Sequence, residues 1–212
     1  LESAEIDTKA GTQSLLLIDA CVRLVCNGHD VTATALNHNG TALLDCLQSA
    51  LPPAVAQERV DQQLQLHFPP INSAQDEDSR LKALSVFDAL RTLLTQLHCS
   101  EGKEAIFLGG IFSYDLIASV EQLPAVVESP RNDCPDFCFY VAETLIHIDH
   151  RKQQTQVQTL TFGGEQFAQE HARLQQRQQQ LQELCNHFVP PALPDALPLD
   201  GKLTSNRDDQ AF

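Results

Sequence analysis

The side chains best able to do chemistry in this 212-residue chain are seven cysteines, eight histidines and 28 Asp and Glu carboxylates. Their spacing limits what they can do. Cys21 and Cys26 are five apart and Cys134 and Cys138 four apart, so no Cys-x-x-Cys pair seeds a zinc site. With no signal peptide in view, the thiols read as free cysteines of a reducing cytoplasm. Nucleophilic catalysis lacks its usual setting, since there is no Gly-x-Ser-x-Gly and no Ser or Cys in an activating context. His147 and His150 have the spacing of a metal pair, but on a strand three residues turn the two side chains to opposite faces. Gly109-Gly110 is too short for a phosphate loop and fits a bulge or a close backbone approach in a strand. Tyr114 fits a ring packed beside that double glycine with its hydroxyl bonded locally, and Asp115 a helix cap. Asp149-His150 fits turn chemistry. Composition and spacing alone yield no catalytic or metal-ligating set.

Charge narrows the partners. Fourteen Lys and Arg against 28 Asp and Glu give a formal net charge of −14, with no basic run. Nucleic acid and anionic membrane surfaces are bound by clustered cations, so both are excluded as expected partners. The longest apolar stretch, Phe137–Ala142, is strand-sized and far short of the ~20 residues that span a bilayer. The chain contains no methionine, and Ser205-Asn206-Arg207-Asp208 has the spacing of a helix start that breaks off at Phe212. It reads as a piece of a longer protein.

The elements that must position any site follow from periodicity. Ser14–Ala20 and Val22–Cys26 read as two strands, Asn27-Gly28 as a two-residue turn, and Val31–Leu36 as a third strand. Thr41–Leu51 reads as a helix stopped by Pro52-Pro53, and Leu64, Leu66 and Phe68 as one face of a short strand. Acidic residues at Asp76–Asp78 open a helix whose stripe runs Leu81, Leu84, Phe87, Leu90, Leu94 and Leu97. Ala105–Phe112 is expected as a buried strand, Ser113–Leu123 as a short helix and Val126–Pro135 as loop. Phe137–Asp149 and Thr155–Phe162 form a long hairpin, and Gly163–Phe188 a glutamine-rich helix with a narrow apolar stripe. Four prolines between Pro190 and Pro198 make a stiff linker. Hairpins and helices in mixed order predict an α+β fold with a mostly antiparallel sheet.

Three blocks go beyond pattern. Phe107-Leu-Gly-Gly-Ile-Phe-Ser-Tyr114-Asp115 is followed by Pro135-Asp-Phe-Cys-Phe139, then by Ala142-Glu143-Thr144 running to Asp149-His150. In that order they resemble the N-terminal part of the chorismate-utilising enzymes, specifically anthranilate synthase component I. Leu1-Glu2-Ser3-Ala4 looks like the end of the family's Leu-Leu-Glu-Ser motif, and Ser85-Val-Phe-Asp-Ala-Leu-Arg91 is similar to a stretch of the bacterial enzymes. The resemblance covers essentially the whole chain.

It implies an enzyme that makes anthranilate and pyruvate from chorismate and ammonia, with Mg²⁺ as cofactor. A glutamine amidotransferase subunit, component II, supplies the ammonia, and L-tryptophan is the feedback inhibitor. It also implies a division at 1–189, a regulatory lobe, and 190–212, the linker and the start of a catalytic lobe that carries the chorismate groups and magnesium carboxylates. This portion alone is then inactive, with no catalytic or metal residues of its own. The residues carried over from the family's tryptophan pocket are Leu1, Glu2 and Ser3. Glu2 can meet the ligand's ammonium, the Ser3 hydroxyl its carboxylate, and Leu1 its indole. Gln13 stands where the family often has a lysine, which puts one carboxylate contact in question. Two other readings stay open: aminodeoxychorismate synthase component I, from which the Glu-Ser motif points away, and a non-catalytic amino-acid-binding module.

Overall fold

The computed structural model describes residues 12–70, 76–96, 106–119, 134–187 and 189. It is an α+β fold, in which helices pack on one seven-stranded sheet whose pairings are all antiparallel. Strand β1 (Gln13–Asn27) turns into β2 (Asp30–Ala35), and helix α1 (His38–Ala50) follows. Next come the hairpin β3 (Ala56–Val60) and β4 (Gln63–His67), then helices α2 (Glu77–Lys82) and α3 (Phe87–Gln96). Edge strand β5 (Leu108–Phe112) leads into a 3-10 helix (Tyr114–Ser119). The long hairpin β6 (Phe137–Asp149) and β7 (Gln154–Thr159) precedes helix α4 (Phe167–Asn186). Across the sheet the order is β3-β4-β2-β1-β6-β5, with β7 also paired to β6.

The two expected N-terminal strands are one. β1 runs through the Ala20–Val22 junction by slipping register against β6 between Leu17 and Val22. Such an irregularity re-aims side chains. Phe137, Phe139 and Val141 lie in the main core before it, whereas Ile146 and Ile148 pack against Leu181 of α4 after it. The alternation on β6 therefore changes parity, and both halves of one strand serve the helix layer. The turn after β1 is centred on Gly28-His29, one residue later than expected, with Gly28 at φ +61. Only glycine takes that angle without cost.

Burial follows the sheet pleat. Val31, Ala33 and Ala35 on β2, with Leu64 and Leu66 on β4, are buried on the face that carries Leu43, Leu44 and Leu47 of α1. Each of the Val and Leu side chains among them contributes about 1.5–3 kcal/mol. Asn37 caps α1, its side chain accepting from the Gly40 N–H at 2.9 Å, and Leu51 ends it before Pro52.

Three expectations need correction. The single helix over residues 76–97 is two, because Asp88 accepts from the Ser85 N–H at 2.7 Å and starts a new helix there. Ser85-x-x-Asp88 is a capping-box arrangement that outweighs the continuous apolar stripe. β3 was not expected from the sequence at all. Its burial alternates only weakly, and its hairpin turns through Asp61 at φ 50 rather than through a glycine. β5 is an exposed edge, not a buried strand, with Ile111 68% exposed. The expected loop at 126–133 and the linker at 190–198 lie outside the described residues. Among the described residues no helix is long and apolar enough to cross a membrane.

Candidate functional site

Leu1, Glu2 and Ser3 lie outside the described residues. Gln13, ten residues beyond Ser3, is described. It opens β1 opposite Asp149 and lines a groove of about 920 Å³. The sheet register builds that groove. Leu15 pairs with His147 and His147 with Gln156, while Leu17 pairs with Leu145 and Leu145 with Gln158. Paired residues share a face, so β1, β6 and β7 present one row of Leu15, His147 and Gln156 and another of Leu17, Leu145 and Gln158. Phe107 and, from α4, Gln178 and Gln182 complete the wall. None of the residues lining the groove carries a formal charge. Five apolar side chains stand among five glutamines, two threonines and a histidine, so the wall is uncharged but polar over much of its surface.

His147 and His150 separate as their spacing requires. His147 faces this groove, whereas His150 Nε2 sits 2.7 Å from the hydroxyl of Ser14, on the other parity of β1. Asp149 does turn chemistry, accepting from the Lys152 N–H at 2.9 Å, which holds its carboxyl below the usual range. The double glycine is a close approach rather than a bulge. β5 pairs with β6 in unbroken register, and a Cβ on Gly110 would run into the Cys138 carbonyl oxygen and sit 2.7 Å from Phe139 Cα. Tyr114 does not pack its ring as expected; it is 92% exposed. The side chain of Asp115 lies outside the described residues.

The feature that sequence reasoning missed is a buried ion network under α4. Glu143, 2% exposed, projects from the middle of the apolar strand β6. Its Oε1 accepts from Asn37 Nδ2 at 3.0 Å and from Arg173 Nη2 at 3.1 Å. Its Oε2 accepts from Asn39 Nδ2 at 3.0 Å and from Arg173 Nη2 at 2.9 Å. Arg173 also donates from Nε to Glu170 at 2.9 Å. Partial burial works against the charge of Arg173, but its bonds to Glu143 and Glu170 outweigh this and raise its pKa. Asn39 further donates to the Leu160 carbonyl at 2.9 Å and accepts from the Phe162 N–H at 2.7 Å. One turn on, Arg177 grips Asp19 with two bonds, at 2.8 and 3.2 Å. Those bonds hold the Asp19 carboxyl below its ordinary pKa in spite of its partial burial.

The lone carboxylate in Phe-Cys-Phe-Tyr-Val-Ala-Glu-Thr-Leu-Ile was the available signal, because an unpaired buried charge would be ruinous and must have a cation nearby. Glu143 accepts four hydrogen bonds from three donor nitrogens, Asn37 Nδ2, Asn39 Nδ2 and Arg173 Nη2, so both its oxygens are engaged within the fold. The network is architecture, tying β1, β6, α1 and α4 together. Thiol chemistry fares no better in the core. Burial pushes the Cys21 thiol up and that of Cys26 up to about 12, so neither is a thiolate near neutral pH. Among the described residues no group of three or more His, Cys, Asp or Glu is placed to hold a metal ion.

Known proteins resemble this chain throughout. Anthranilate synthase component 1 of Serratia marcescens is 45% identical over 213 aligned residues, covering 100% of this chain and 40% of the relative. The enzyme of that name from Escherichia coli (strain K12) is 44% identical with the same coverage. The chain thus spans about 40% of the length of these curated relatives. A solved structure, anthranilate synthase component I from Streptococcus pneumoniae TIGR4, overlaps 90% of this chain and 34% of its own, with a TM-score of 0.41 at 12% identity. That overlap is too low to add to the sequence match. The family model described as chorismate binding enzyme matches residues 52–212. The chain belongs to the chorismate binding enzyme family.

Proposed function

We propose that this chain is the N-terminal, tryptophan-sensing portion of an anthranilate synthase component I. The whole enzyme converts chorismate and ammonia to anthranilate and pyruvate in tryptophan biosynthesis, in the cytoplasm. Component II, a glutamine amidotransferase, delivers the ammonia. The observation that carries this reading is 45% identity sustained over the entire chain to a relative of that name. Chorismate and Mg²⁺ belong to a catalytic lobe beyond residues 1–189, and residues 190–212 link to it. Mg²⁺ there supplies positive charge toward a carboxylate substrate. On this reading the part described here is assigned no chemistry of its own.

Tryptophan sensing is assigned to Leu1, Glu2 and Ser3, which lie shortly before β1 in the chain. Inhibition follows if tryptophan prefers one arrangement of the two lobes, because a ligand shifts an equilibrium only by its differential affinity for the two states. Anthranilate fluorescence from the full-length gene product, given chorismate, Mg²⁺ and ammonia, tests the activity. Product formation supports the reading. Chorismate consumed without anthranilate points instead to aminodeoxychorismate, and no consumption removes the enzymatic reading.

A further inference from the structure

We infer that Asp19 and Arg177 are positioning residues for the amino-acid-binding segment that leads into β1, because their ion pair holds the point at which β1 slips register on β6. This rests on the reading that Leu1, Glu2 and Ser3 bind tryptophan in the full-length protein. Regular alternation forbids what β1 does here, since consecutive side chains of a strand point to opposite faces. Yet Ile18 packs against the cluster that holds Leu181 of α4, and Asp19, the next residue, bonds to Arg177 of the same helix. The pairing with β6 slips at the same place. Leu17 lies opposite Leu145 and Asp19 opposite Thr144, so two steps along β1 match one along β6. That is an extra residue on β1, a bulge. The guanidinium of Arg177 holds the displaced carboxylate at 2.8 and 3.2 Å.

The helix presents that guanidinium from a fixed place. Only Glu170, Leu174 and Leu181 of α4 are buried, so polar anchors carry much of its seat on the sheet. Arg173 bonds both to Glu143 of β6 and to Glu170 of its own helix. Residues four apart share a helix face. Arg177, four after Arg173, is thereby set over β1 at Asp19.

The pair governs the half of β1 before the bulge. Gln13 and Leu15 line the groove, while Ser14, between them, bonds to His150 on the other side. A slip of one residue exchanges those two sets of side chains. Without Arg177, Asp19 turns to the other face as alternation prefers, and the half-strand from Gln13 to Leu17 gains a second register. Ser3 stands ten residues before Gln13, so the chain that leads back to it starts from this half-strand. A binding segment that is competent in only one of two arrangements binds with an affinity reduced by the competent fraction. The pair acts through β1, and neither residue needs to touch the ligand.

The test breaks the pair in the full-length protein as Asp19→Asn and, separately, Arg177→Met, with Arg177→Lys as the conservative variant. Leu66→Ala is the control for lost stability, because Leu66 is a core residue of β4, which pairs with β2 and β3. Circular dichroism checks each fold, and if one pair variant fails to fold the other carries the decision. Titration calorimetry with L-tryptophan gives the affinity, and anthranilate fluorescence gives the KM for chorismate without tryptophan. Asp19→Asn and Arg177→Met are expected to weaken tryptophan binding about fivefold or more, the lower end of an ordinary coupling between sites, with the KM for chorismate unchanged. Arg177→Lys recovers part of the affinity, and Leu66→Ala loses stability but binds tryptophan as the wild type does. Wild-type affinity in the pair variants, or an equal loss in Leu66→Ala, overturns this inference and leaves the functional reading standing. A wild type that forms anthranilate but binds no tryptophan overturns the sensing reading and this inference with it.

Discussion

Glu143 is the residue on which the described architecture turns. Four hydrogen bonds from three residues satisfy it, so removing one partner exposes the cost of a buried charge. Arg173→Met should destabilise the full-length protein by about 3 kcal/mol, the lower end for a broken buried pair because Arg173 itself is partly open to water. Glu143→Gln, which keeps the shape and loses the charge, should cost less than this. Urea denaturation of the two variants checks the order, and equal losses would argue against a charge-based network. Asp19 gives a pH signature. Its folded pKa is depressed by Arg177, so the pair's contribution is present above the unfolded value near 4 and is lost as pH falls through the folded value. Arg177→Met should therefore flatten the acid limb of the stability profile below roughly pH 5, and should match wild type once Asp19 is protonated in both. Little of this network was legible beforehand. Glu143 stood out as a carboxylate in an apolar strand, but its partners are 104 to 106 residues upstream and 30 downstream, distances that periodicity does not bridge.

Elements were legible where local chemistry dominated. Phe137–Asp149 is the strand its sequence announces, and the β1–β2 turn falls within one residue of the Asn-Gly signal. Misreadings occurred where a cap overrode a stripe, as at Ser85, or where a non-glycine residue took a left-handed turn, as at Asp61. Asp88→Ala should cost about 1 kcal/mol by removing the cap that starts α3. Close backbone approach makes a sharper prediction. A Cβ on Gly40 would strike the Cys21 carbonyl, and one on Gly110 that of Cys138, whereas one on Gly163 meets nothing within 4 Å. Gly40→Ala and Gly110→Ala should each lose about 1–3 kcal/mol or more, and Gly163→Ala should stay within about 0.5 kcal/mol. Thermal melting of the three variants gives the comparison, and a tolerated Gly110→Ala would contradict the β5–β6 register.

At the scale of the molecule, the two faces of the sheet differ. Helices close the first with an apolar core and an ion network, while the second presents the uncharged groove and edge. The fold class was legible because hairpins and helices alternate irregularly in the sequence. The groove was not, because its rows come together only through the register of β1, β6 and β7. The whole account turns on this chain belonging to an anthranilate synthase that answers to tryptophan through Glu2. The most direct measurement is anthranilate fluorescence from the full-length enzyme and its Glu2→Lys variant, each with chorismate, Mg²⁺ and ammonia, across a tryptophan titration. The account predicts equal rates without tryptophan, strong suppression of the wild type by it, and a variant desensitised at least tenfold. Equal sensitivity in both proteins, or no anthranilate from either, would contradict it.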